Sequence, residues 1–580
     1  MGTTYPDEID VRGLKLSFCG GQVENQAVRY SLYKSISNLV LLSHLYTYPI
    51  MQNGTKDFQT YTIENVENTS EDRSSNSQDI DDVMTKYGSK WYKAGHLVKL
   101  NFFLLICMFS STNNGYDGSL LNGLQTMSTW QDAFNHPSGG ILGAINNGMM
   151  IGTIFAWPIV PWLSDSYGRR IPIALGCFII VIGAIVQGTS HNFTSLFLGR
   201  LVLGLGSGLA TTASPLLLTE CAYPEQRHIM TAIYNTLWPL GSIISGWLTL
   251  GTSFMSSSWS WRIPCLFQGF IPLIQLLMVY WVPESPRFLI DKQRFKEARD
   301  MLVKYHAGGD ENSQLVDFEM AEITTSLEME KVYNETSYLD FLRTPGNRYR
   351  LFLVAIIPCN MQLAGNGLVS YYLNLVLDSI NIRGTHPQLY FNGGLQIFTF
   401  INDLFFSFQV ERFGRRKLFL FSLSGMLFSY IIWTILSALG EKNNYQNPAY
   451  GRGVLAMIFI FSLFYGSGMQ GLPVLYWTEI LPYQLRAKGL NITNVVTTIT
   501  LVYNGFVNPV GMKNLGWKYY IVWCCALVLW LTIAYFFYPE TKGHTLETVG
   551  VVFGEDVAHV SADLGIGIGR SGNKPNDQDI

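Results

Sequence analysis

Asp117 is the first residue whose setting implies chemistry, because it lies inside an apolar run beside Gly115 and Tyr116. A carboxyl at membrane depth is costly unless it is paired, protonated or turned towards water, so it marks a functional site by default. Arg200, at the start of another apolar run, is the cation best placed to partner it. Burial and a neighbouring guanidinium bias a carboxyl's protonation in opposite senses. A change in their separation would couple proton uptake to helix movement, each pKa unit being worth about 1.4 kcal/mol. The other reading of these two residues is a static buried ion pair. A second set of charges sits at the breaks between apolar runs: Asp165, Arg169, Arg170 and Glu220, then Glu284 and Arg287, and later Glu411, Arg415, Arg416 and Glu479. Arginine forks suit bidentate locking onto carboxylates, and the same charges would also fix membrane topology. Asp403 is a further acid within an apolar run, to which the sequence assigns no role.

Other chemistries find no support. No nucleophile–base pair stands out, so no enzyme is expected. The eight Cys are scattered without CxxC or metal-ligand spacing and read as small packing residues, so no metal is expected. The glycine-rich run at 204–208 lies inside an apolar segment with no strand before it, which makes it a packing motif rather than a nucleotide loop.

The elements that must position these residues follow from composition. Charged residues make up 14% of the 580, against roughly 25% in ordinary soluble proteins. Thirty-nine Lys and Arg against 42 Asp and Glu leave a net charge of -3, which gives no general argument for nucleic acid as a partner. The missing charge reappears as apolar runs near the roughly 20 residues that cross a bilayer. Six such runs lie at 97–123, 139–163, 171–190, 194–218, 228–251 and 261–282, and six more at 349–378, 388–410, 417–439, 452–475, 485–510 and 517–538. The expected organisation is a polar leader (1–96), a six-helix half (97–282), a charged helical linker (283–348), a second six-helix half (349–538) and a polar tail (539–580). The second half of the leader is too rich in Asn, Ser, Thr and acids to bury a core.

The halves echo each other. DSYGRR (165–170) follows the second run and ERFGRRK (411–417) the eighth; ECAYPEQR (220–227) follows the fourth and EILPYQLRAKG (479–489) the tenth. Repeats at matching positions in two six-helix halves point to a duplicated transporter with its binding site midway between them. Lys and Arg are concentrated at alternate ends of the runs, which places both termini in the cytoplasm.

GYDGSLLNG, DSYGRR, GRLVLGLGSG, PESPRFL, ERFGRRK and YPETKG occur in an order and spacing that resemble the sugar porter family of the major facilitator superfamily, from about residue 97 to 550. NGYDGSLLNGLQTM and YNTLWPLGSIISGW further resemble its fungal lactose permease and cellodextrin transporter branch. The resemblance implies an all-α, twelve-helix fold of two pseudo-symmetric halves, in the plasma membrane and monomeric. It implies a small neutral sugar as substrate, no cofactor, and a proton as coupling ion through Asp117 and Arg200. The break charges become a cytoplasmic network that locks the halves when the transporter faces outward, with Glu284 and Arg287 in the linker. An amide on the fifth helix falls at Asn235, where hexose porters carry the longer Gln. In the seventh helix MQLAGNGLVSYY keeps Gln362, Tyr371 and Tyr372, with Met361 in place of a first Gln and the amide moved to Asn366. In the tenth, GLPVLYW lacks the family's Trp at its place, and Tyr476 or Trp477 is the substitute. These departures favour a disaccharide over glucose. The function implied is proton-coupled symport of a disaccharide or hexose by alternating access; a facilitative uniporter and a transporter-like sugar sensor remain as alternatives.

Overall fold

The computed structural model describes residues 84, 86–333, 337–382, 384–407, 409, 413–542 and 553. The leader before 84, Glu411 and most of the 539–580 tail lie outside these residues. The first half contains α1 (Gly95–Thr126), α2 (Gly140–Ala156, bending into Ile159–Tyr167), α3 (Arg170–Gly188), α4 (Phe193–Cys221), α5 (Arg227–Thr252) and α6 (Trp259–Phe267, then Phe270–Met278). The second contains α7 (Pro345–Gln362, Asn366–Tyr371 and Leu373–Ser379), α8 (Thr385–Ser407), α9 (Arg415–Lys442), α10 (Pro448–Tyr465, a π-turn Gly466–Gln470, then Leu472–Ile480), α11 (Tyr483–Leu515) and α12 (Tyr519–Phe537).

Stretches long and apolar enough to cross a membrane fall on α1, α3, α4, α6, α9, α10 and the α11–α12 run, and α2 joins them as a pair bent by 46°. α5, α7 and α8 fall short because they carry polar side chains into the bundle. Ser242, Ser245 and Thr249 on α5, Asn360, Gln362 and Asn366 on α7, and Asn392 and Asn402 on α8 are all buried. Outward, Phe155, Phe178, Leu277, Phe428 and Phe536 are exposed, the surface expected where the surrounding solvent is hydrocarbon.

Local signals set the helix starts. Asn192 and Ser195 form a capping box at α4, the Ser195 N–H donating to Asn192 Oδ1 at 2.8 Å. Thr344 caps α7 with Pro345 at the first position, and Asn447 with Pro448 does the same for α10. Within the first half, glycines let backbones approach. A Cβ on Gly204 or Gly152 would collide with the Met149 or Leu201 carbonyl, which fastens α2 to α4. Gly176 and Gly206 do the same between α3 and α4. In α7, Gly365 turns the chain at φ +87, and the Tyr430 hydroxyl donates to its carbonyl at 2.8 Å.

Four short helices bridge the halves: Pro286–Asp291, Phe295–Tyr305, Gln314–Tyr333 and Asp340–Arg343. They enclose a small apolar core of Phe288, Leu289, Ile290 and Ala298. His306 moors them to the end of α4, with Nδ1 2.8 Å from Glu319 Oε2 and Nε2 3.2 Å from the Cys221 carbonyl.

Candidate functional site

Asp117 is fully buried on α1. Its Oδ2 accepts from Asn113 Nδ2 at 3.0 Å, one turn earlier on the same helix, and its Oδ1 accepts from Gln268 Nε2 at 2.8 Å, where the two pieces of α6 meet. Arg200 on α4 is buried as well, and it is the cation whose field reaches Asp117. The two form no ion pair within 4.0 Å among the described residues, and Arg200 Nε and Nη1 are without hydrogen-bond partners. Arg200 therefore acts on Asp117 through space, and two amides hold the carboxylate where a salt bridge was expected. Cys265 on α6 and Tyr372 on α7 also lie within reach of the guanidinium.

A cavity of about 220 Å³ opens beside this cluster, lined by both halves. Among the described lining residues, Ser119 and Trp238 come from the first half and the others from the second. Of the residues singled out in the sequence, Gln362, Asn366 and Tyr371 line it. Asn366 Nδ2 donates to the Tyr465 hydroxyl at 3.1 Å, and its Oδ1 is left unbonded. Gln396, Gln470, Thr399 and Ser462 add further amides and hydroxyls, and Phe461 and Tyr465 add rings. Among the described residues, no charged side chain lines the cavity. Such a lining offers donors, acceptors and flat apolar faces together, and it neither demands nor repays a formal charge.

Three expectations need correction or fall elsewhere. Tyr476 does not reach the cavity: its hydroxyl donates to the Pro539 carbonyl at 2.8 Å and its ring packs on Phe419 and Tyr538 at the arginine-rich end of the bundle. Tyr372 is next to the cavity but turned from it, donating to the Gly505 carbonyl at 2.5 Å. Asn235 lies on α5, and its side chain falls outside the described residues.

The charges at the helix breaks form two matching clusters. In the first half Arg169 pairs with Glu220 at 3.0 Å, while Glu284 accepts from the Arg169 and Ser285 N–H groups at 3.1 and 3.0 Å and lies 3.7 Å from Arg170 Nε. Burial pushes the Glu284 carboxyl above the usual carboxylate range, against these donors. In the second half Arg415 grips Glu479 at 2.7 Å, and Glu540 accepts from the Arg415 and Arg416 N–H groups at 2.9 and 3.2 Å. Glu540 was not singled out, although YPET repeats the VPES that carries Glu284. Each of these pairs joins residues of one half or ties that half to the segment after it, the linker at Glu284 and the tail at Glu540. Arg287 is half-buried in the linker, and Asp165 is exposed.

Among the described residues, side-chain hydrogen bonds between the halves are seen at the opposite end. Asn122 Nδ2 donates to the Ser370 carbonyl at 2.6 Å, Thr385 Oγ1 to the Thr126 carbonyl at 2.9 Å, and Asn147 Nδ2 to the Val502 carbonyl at 3.0 Å. The bundle is thus sealed away from the arginines.

A profile of the family described as Sugar (and other) transporter matches residues 103–553. The chain belongs to this family. Membership makes it a multi-pass membrane transporter and not an enzyme. Among relatives of this transporter, the MFS-type transporter oryC of Aspergillus oryzae is 32% identical over 68% of the chain and 74% of its own length. The Sugar transporter STL1 of Saccharomyces cerevisiae is 27% identical over 80% of the chain and 83% of its own length. In fold it matches the inward open conformation of the xylose transporter XylE from E. coli, at TM-score 0.64 and 20% identity, over 78% of the chain and 99% of that one. A second XylE structure, described as a proton:xylose symporter bound to 6-bromo-6-deoxy-D-glucose, matches at TM-score 0.62 and 19% identity, over 79% of the chain and 99% of that one. The twelve-helix architecture expected from the sequence is the one this fold has.

Proposed function

We propose that this transporter carries a neutral sugar together with a proton by alternating access across the plasma membrane, as a monomer and with no cofactor beyond the coupling ion. The observation that carries this reading is the cavity lining, which combines amides, hydroxyls and aromatic rings without one charged group. A polyhydroxylated neutral solute meets such a surface with its own mixed donors and acceptors. A volume of about 220 Å³ falls below the roughly 300–1,000 Å³ of drug-sized sites. In this conformation the space suits one sugar ring, a hexose, better than the disaccharide favoured by the sequence departures. The names of STL1 and XylE point to the same solute class.

The coupling group is Asp117, buried beside the sugar cavity yet outside its lining. A proton crossing about 100 mV delivers about 2.3 kcal/mol, enough to bias one half's movement against the other. With the arginine-rich end and both termini in the cytoplasm, the sealed end is the outer one, and the present state is the one that loads or releases inside.

Uptake of labelled mono- and disaccharides into yeast lacking its own sugar transporters tests the reading. At least one neutral sugar should enter, and a protonophore should abolish its accumulation. Normal surface expression without uptake of any sugar overturns the substrate class; accumulation-free, protonophore-insensitive uptake overturns the coupling and leaves a uniporter.

A further inference from the structure

Asp117 sits between two side-chain amides that each use one end only. Asn113 and Gln268 direct their NH₂ groups at the carboxylate, while Asn113 Oδ1 and Gln268 Oε1 are buried with no hydrogen-bond partner. Both residues are nearly inaccessible, at 2% and 1% exposure, and no other described side chain or backbone group supplies the missing donors. An ionised carboxylate only accepts, and two incoming donors describe that form. A protonated one must donate its O–H, and for that it needs an acceptor. The idle oxygen of either amide becomes that acceptor when the amide turns over, since the two ends of an amide are nearly the same size.

We infer that Gln268 and Asn113 are positioning residues that set how firmly Asp117 holds the coupling proton, by presenting amide hydrogens to its ionised form and an amide oxygen to its protonated form. This deepens the proton-coupling reading and rests on it. Gln268 is the more telling member because it belongs to another helix, at the junction of Trp259–Phe267 with Phe270–Met278. A movement of α6 against α1 would withdraw the Gln268 amide from Asp117 and so tie the grip on the proton to the conformation. The other groups facing Asp117 are Arg200 from α4, Cys265 from α6 beside that guanidinium, and Tyr116 on its own helix; Tyr372 from α7 faces Arg200 in turn. None of them donates a hydrogen bond to the carboxylate among the described residues. Arg200 acts on the carboxylate without a hydrogen bond, and the amides are the groups that contact it directly.

The test uses the full-length protein in sealed vesicles, with uptake of the sugar identified by the panel above followed from about pH 5 to pH 8. Gln268→Met keeps length and volume but removes both ends of the amide. Losing a stronger hydrogen bond to the ionised carboxylate and a weaker one to its protonated form should move the acid-to-alkaline fall in uptake by about one pH unit towards alkaline pH, while sugar exchange at equal concentrations persists. Asn113→Leu should move it in the same direction. Exchange by each variant shows that it is folded. An unmoved pH profile in two exchanging variants overturns the inference, provided that wild-type accumulation collapses with a protonophore. If the wild type is itself insensitive to the protonophore, the coupling reading falls, and this inference with it.

Discussion

The two ends of each half follow different rules, and the contrast between the arginine-rich ends and the midsections is instructive. At the arginine-rich end the halves are near copies. Gly168 at φ +93 precedes Arg169 and Arg170, as Gly414 at φ +90 precedes Arg415 and Arg416. Glu284 and Glu540 each cap the N-terminus of the helix that follows, α3 or α9. Arg170 lies over the Tyr280 ring and Arg416 over the Tyr535 ring, at 5.9 and 5.8 Å. The midsections have diverged. The first half holds Asp117 and Arg200, and the second supplies most of the described cavity wall. The breaks hold one geometry in duplicate, whereas the proposed proton and sugar handling falls to different halves.

Predictions that strain this contrast run from the midsection outwards. Gln362→Ala removes a cavity amide from the sugar side and should raise KM by about 10- to 100-fold, the loss of one or two hydrogen bonds, with surface expression unchanged; an unmoved KM would move the sugar site elsewhere. Gly168→Ala and Gly414→Ala test the copies. A Cβ would stand 2.5 Å from Glu284 Oε2 in one and 2.9 Å from Glu540 Oε2 in the other, and a positive φ costs an L-residue about 1–2 kcal/mol. Both should lower the melting temperature of the purified protein to a similar extent; a large disparity would break the equivalence.

Two smaller effects sharpen the comparison. Tyr476→Phe deletes a hydroxyl that binds the Pro539 carbonyl and should cost about 1 kcal/mol of stability while leaving KM for the sugar unchanged. Glu284 gives the gentlest signal. Burial holds its carboxyl above the ordinary range, so its contribution to stability is present in acid, below the unfolded value of about 4.3, and is lost as pH rises through the raised folded value. Thermal melts should show this decline, and Glu284→Gln should flatten it.

Much of this arrangement was legible in the sequence. The twelve apolar runs coincide with α1–α12 because hydrocarbon leaves the backbone no alternative to continuous helices. The GRR repeats were legible because a tight turn, an arginine fork and a carboxylate each require particular residue types. Facing was harder to read. Tyr476 is a cavity candidate only as a stand-in for the Trp missing from GLPVLYW, and after the π-turn at Gly466–Gln470 it meets Pro539, Phe419 and Tyr538 instead. Gln268 and Gln396 escaped notice because a lone amide in an apolar helix does not reveal which neighbour it meets. Glu540 escaped because its role depends on folding back over α9, far along the chain. The distance between the helices of Asp117 and Arg200 is not encoded in either residue, and the amides that hold Asp117 can be named only from the packed bundle.

The most direct test of coupled transport is the proton movement that accompanies sugar entry. In sealed vesicles containing the purified full-length protein, with no imposed gradient, adding sugar outside should draw protons inward and raise the external pH. Asp117→Asn should abolish that signal and all accumulation while sugar exchange continues. An Asp117→Asn protein that still concentrates sugar, or a wild type that admits sugar without moving protons, would contradict the account.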